Sequence, residues 1–64
     1  SEFLYILDPQ EKRLVVIAKR DGLLQAQYQS PTFTDLKDFA INESKKTAYL
    51  LNDFNVVVIP LSHL

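Results

Sequence analysis

The apolar residues of this chain fall into short runs divided by polar turns, and two of the resulting phrases are near copies. Tyr5-Ile6-Leu7-Asp8, a polar turn and Leu14-Val15-Val16-Ile17 form the first. Tyr49-Leu50-Leu51-Asn52, a shorter turn and Val56-Val57-Val58-Ile59 form the second. The two tyrosines are 44 residues apart, and Leu14 precedes Val56 by 42. A period in the forties made of aromatic and β-branched runs indicates a repeated sheet unit.

Each run predicts a strand. Residues 3–7 read as one, ended by Asp8-Pro9-Gln10-Glu11-Lys12, where Pro9 supplies a fixed φ and no N–H. Residues 13–18 follow, and their continuous Leu-Val-Val-Ile core is the pattern of a strand covered on both faces. Lys19-Arg20-Asp21-Gly22 predicts a hairpin, because Asp-Gly supplies the positive φ values of tight primed turns and Gly22 is the only glycine. Residues 24–29 alternate, which places Leu24, Ala26 and Tyr28 on one face and glutamines on a wet one. Ser30-Pro31 breaks that strand. Glu43-Ser44-Lys45-Lys46 predicts a polar turn, residues 47–52 a strand and Asp53-Phe54 a tight turn. Residues 55–59 predict another strand of the doubly covered type, ended by Pro60, with Leu61-Ser62-His63-Leu64 extending it or fraying.

Residues 32–46 allow two readings. Phe33, Leu36, Phe39 and Ala40 have the spacing of a short amphipathic helix with Thr34 as its N-cap. The capping box fails, however, since Lys37 stands where Glu or Gln belongs. As a strand, Leu36, Phe39 and Ile41 do not alternate. The repeat decides: a segment between an outer strand and the next Tyr-Leu-Leu phrase belongs to an inner strand, so residues 35–42 are expected to be extended. The expected class is all-β, an antiparallel meander of about six strands forming one unit over residues 1–64. The alternative is α+β, with a short helix over residues 34–42 packed on a five-stranded sheet.

Composition narrows the function classes. Sixty-four residues make one small domain, which at this size buries only about 60% of its unfolded surface. There is no cysteine, hence no disulfide framework and no thiolate metal site. Seven basic and eight acidic residues are interspersed for a net charge of −1, without the basic face that nucleic acid or an anionic membrane requires. The apolar runs are too short for membrane insertion.

Two phrases resemble β-propeller blades of the NHL or YVTN type. Leu36-Lys37-Asp38-Phe39-Ala40-Ile41-Asn42-Glu43 looks like the inner strand and first turn of a blade. Tyr49-Leu50-Leu51-Asn52 with Val56-Val57-Val58-Ile59 looks like the second and third strands, and Leu4 to Tyr28 like the second, third and fourth strands of the blade before it. The resemblance implies about one and a half blades from the C-terminal portion of a propeller, in which binding through loops is the usual role and catalysis a minority one. Such units cannot cover their faces singly. The absent initiator methionine and a strand beginning at Phe3 fit a piece taken from a longer or engineered repeat protein. An ordered chain is therefore expected to pair with copies of itself or to refold over its faces.

No catalytic, cofactor or metal motif stands out, so the function expected is a non-catalytic protein-interaction or scaffold module. The alternatives are a small α+β regulatory domain, a fragment of a propeller enzyme and an engineered repeat fragment. His63 is the sole histidine and reads as an exposed tail residue without metal or catalytic partners. Asp35, Asp38 and Glu43 form a loose acidic group without the ligand number or glycine loop of a calcium site. Ser30, Ser44 and Ser62 have no flanking glycine that would make a nucleophile elbow. Lys19-Arg20 and Lys45-Lys46 read as solvated turn charges. Tyr5, Tyr28, Phe33, Phe39 and Tyr49 read as core, whereas Phe54, in a two-residue turn, is the candidate partner contact.

Overall fold

A computed structural model describes residues 1–64. It is all-β: β1 (Phe3–Asp8), β2 (Arg13–Ala18) and β3 (Leu24–Gln29) form one antiparallel sheet, and β4 (Leu36–Asn42), β5 (Thr47–Asn52) and β6 (Asn55–Pro60) form a second. The sheet orders are β1-β2-β3 and β4-β5-β6. The helical reading of residues 34–42 is thereby corrected, and a register shift shows why the pattern misled. Leu36 pairs with Asn52 but Asp38 with Leu51, so Lys37 is an extra residue in β4. This bulge turns Leu36 inward together with Phe39 and Ile41, at a spacing that plain alternation forbids.

A second bulge corrects the reading of β3. Ala26 pairs with Val16 but Leu24 with Ile17, so Gln25 is the extra residue. Ala26 and Tyr28 stay half-buried while Leu24 crosses to the outer face, 56% exposed. The loop before β3 is also wider than a primed two-residue turn. Only Gly22 has positive φ there (73°), Gly22 N donates to Ala18 O at 2.8 Å, and Ala18 N donates to Leu23 O at 3.0 Å. The turn between β5 and β6 is tight, with positive φ at Asp53 (57°).

The two longer hairpins share one construction. In loop 9–12, Asp8 Oδ1 accepts from Glu11 N at 3.3 Å, and Lys12 takes a left-handed φ of 55°. In loop 43–46, Asn42 Oδ1 accepts from Lys45 N at 3.2 Å, and Lys46 has φ 50°. An Asp or Asn that bonds backbone a few residues ahead substitutes for glycine chemistry in both.

The inner faces of the sheets meet in one core of Leu14, Phe33, Leu36, Ala48, Leu50 and Leu61, flanked by Tyr5, Leu7, Tyr28, Phe39, Ile41, Val57 and Ile59. Connection 30–35 crosses between the sheets, and Phe33 from it is buried in that core. Asn52, the one buried polar residue, holds this connection: its Oδ1 accepts from Thr34 N and Asp35 N, both at 2.9 Å, and its Nδ2 donates to Thr32 O at 2.9 Å. The C-terminal tail neither extends β6 nor frays. Leu61 turns inward, 2% exposed, with its N–H donated to Lys46 O at 2.8 Å.

Candidate functional site

Only ten of 64 residues are buried, because each sheet has one covered face and one open face. The continuous run of the central strand β2 is buried at Leu14, Val15, Val16 and Ala18, although Val15 lies on the open face, flanked in the sheet by Ile6 and Gln27. The doubly covered pattern fails for β6, an edge strand: Val57 and Ile59 pack on the core, but Val56 and Val58 are 64% and 59% exposed. The open face of the second sheet also carries Tyr49 and Leu51, with a shallow hollow of about 260 Å³ lined by Asp38, Phe39, Ala40, Tyr49, Leu51 and Val56. The open face of the first sheet carries Leu4, Ile6 and Leu24. Apolar surface is thus exposed on both sides of the molecule.

Phe54 sits at the tip of the β5–β6 turn, 87% exposed, with Lys37 Nζ 4.8 Å from its ring centroid. The sequence-predicted acidic group is not a cluster. Lys37 Nζ lies 3.8 Å from Asp35, Asp38 Oδ1 accepts from Phe39 N at 2.8 Å, and Glu43 belongs to a different assembly. Ser30 and Ser44 Oγ bond locally to Thr32 and Asn42. No three His, Asp or Glu side chains converge on a point that could hold a metal ion. No helix is long and apolar enough to cross a membrane.

His63 requires a correction. It is half-buried against the first sheet, because the turn after β6 folds back over β1 and β3. Its ring stands edge-on to Phe3 at 4.8 Å between centroids. Nδ1 lies 2.5 Å from Tyr28 Oη and Nε2 lies 3.1 Å from Tyr5 Oη, while Tyr5 Oη donates to Glu43 Oε2 at 2.6 Å. Tyr28 Oη also accepts the His63 backbone N–H at 3.1 Å. One set of protons satisfies every contact: Tyr28 donates to Nδ1, Nε2–H donates to Tyr5, and Tyr5 donates to Glu43. Ser1 Oγ adds a bond to the same carboxylate oxygen at 2.9 Å.

The electrostatics follow from this wiring. Burial holds His63 below its usual pKa, against the pull of Glu43. Bonds from Tyr5 and Ser1 hold the Glu43 carboxyl below the ordinary range. Burial first, and Glu43 second, push the Tyr5 hydroxyl well above its usual value. A neutral histidine between two phenols is a latch that fastens the turn after β6 to the first sheet. Sequence reasoning missed it because the partners lie 35 and 58 residues from His63, and no local pattern joins them.

No family model, curated protein or solved structure matches this chain.

Proposed function

We propose that the chain is a non-catalytic protein-interaction or scaffold module made of propeller-type blades, complete only when further sheets cover its open faces. One observation carries this reading: repeat-related residues lie on opposite sides of their sheets. Tyr5 and Leu7 pack in the core, whereas Tyr49 and Leu51, 44 residues on, face outward. Leu14 and Val16 are fully buried, whereas Val56 and Val58, 42 residues on, are exposed. The reverse set agrees: Leu4 and Ile6 are exposed, and their counterparts Ala48 and Leu50 are fully buried. Two sheets stacked by a translation-like repeat must behave this way, since the right face of one meets the left face of the next. A closed two-sheet sandwich would put equivalent positions on the same inner side. Phe54, standing clear of the core on a turn, supplies the loop contact for a protein partner.

Joining two copies in tandem through a flexible Gly/Ser linker tests the reading. Stacking units stabilise their neighbours, so the tandem protein should unfold at higher urea than the single chain. Equal midpoints would show two independent domains and sink the blade reading.

A further inference from the structure

The covered interface states what each open face is built to receive. The outer face of the second sheet corresponds to the first sheet's inner face, with Tyr49 for Tyr5, Leu51 for Leu7 and Val58 for Val16 identical and Val56 in place of Leu14. The outer face of the first sheet corresponds to the second sheet's inner face, with Val15 for Val57 and Ile17 for Ile59 identical, Ile6 in place of Leu50 and the larger Leu4 in place of Ala48. The two open faces are thus related to the two halves of an interface that already exists inside the molecule. They are complementary to each other, and neither is built to meet its own copy.

From this we infer that a second copy of the chain docks head to tail, its first sheet's outer face on the second sheet's outer face of its neighbour. The inference rests on the blade reading above and adds the partner and the polarity. Such a contact is heterologous, so each added copy leaves the same two faces open, and association continues until a ring closes or a filament grows. Charge does not oppose it, since the net charge is −1 and Asp38 is the one acidic or basic residue lining the hollow of the second sheet.

Two single-face variants decide the polarity. Ile6→Lys places a charge on the first open face, and Val58→Lys places one on the second; both positions are already partly exposed, at 43% and 59%. In sedimentation velocity across the micromolar range, the wild-type chain should exceed its 7.4 kDa mass and grow with concentration. Each variant alone should be monomeric, because its intact face meets only blocked ones. An equimolar mixture should form a species of two chains and nothing larger. A variant that still dimerises alone would show like-on-like docking and overturn the proposal. A monomeric wild-type chain beside a stabilised tandem protein would overturn self-docking while leaving the blade reading in place. Circular dichroism verifies that both variants remain β-folded, and Leu4→Lys, at a 49% exposed position, replaces Ile6→Lys if that variant unfolds.

Discussion

Asn52→Ala removes the one side chain of the second sheet that hydrogen-bonds the inter-sheet connection. Three bonds disappear at once, two accepted by Oδ1 and one donated by Nδ2, all at 2.9 Å. A hydrogen bond of this kind contributes about 0.5–1.5 kcal/mol net. The freed backbone groups belong to Thr32, Thr34 and Asp35, which are exposed, so water replaces part of what is lost. The expected cost is about 2–4 kcal/mol. A domain of this size has a total stability of roughly 3–10 kcal/mol, so the loss is a large share of it. Urea denaturation followed by far-ultraviolet circular dichroism should show the midpoint falling by about 2 M or more, for a slope near 1 kcal/mol/M. Asn52→Asp separates the two roles of the amide. Its carboxylate still accepts from Thr34 and Asp35 but sets an oxygen against the Thr32 carbonyl. It should therefore be destabilised at neutral pH and recover as protonation below about pH 4 restores a donor. A loss of unfolding free energy below about 0.5 kcal/mol for Asn52→Ala would refute the reasoning, as would an Asn52→Asp deficit that does not shrink in acid.

Leu50→Ala, at a fully buried position in the middle of the core, should cost about 2–5 kcal/mol in the same assay. Asp53→Gly should stabilise the chain by about 0.5–1 kcal/mol, since glycine adopts the positive φ of 57° without strain; a lower thermal midpoint would contradict this. The latch makes stability depend on pH at both ends. His63 has a lower pKa folded than unfolded, so its contribution is full above about 6.5 and is lost as pH falls from there through the folded value. Glu43 adds a further loss on acidification below about 4.5, and Tyr5, raised when folded, produces a loss above about 10. Thermal melts from acid to alkaline pH should show all three, and His63→Gln should abolish the slope between about pH 5 and 7.

All six strands were legible from the sequence, because their signals are local. β-branched and aromatic runs favour extended backbone, and Pro9, Gly22 and the Asp or Asn residues opening each hairpin break it. The likeness of the two Tyr-Leu phrases decided the segment over residues 35–42, where helix and strand patterns were balanced, and that segment is extended over Leu36–Asn42. The candidate site was less legible. Phe54 was visible as an apolar residue in a turn, whereas the latch of His63 with Tyr5, Tyr28 and Glu43 was not.

The chemistry of single residues and turns thus settled which segments are strands and which phrases repeat. Tertiary structure decided everything that depends on which side of a strand is covered. The bulges at Gln25 and Lys37 each shift the alternation by one, which moves Leu24 outward and Leu36 inward, and only pairing with β2 and β5 reveals them. His63 lies one residue from the end of the chain, after the last strand of the second sheet, yet it bonds to Tyr5 and Tyr28 of the first sheet, because the turn after β6 is anchored by buried Leu61. A period-two pattern records that one side differs from the other. Which side finds a neighbour is a long-range matter, and here it leaves one apolar face of each sheet open.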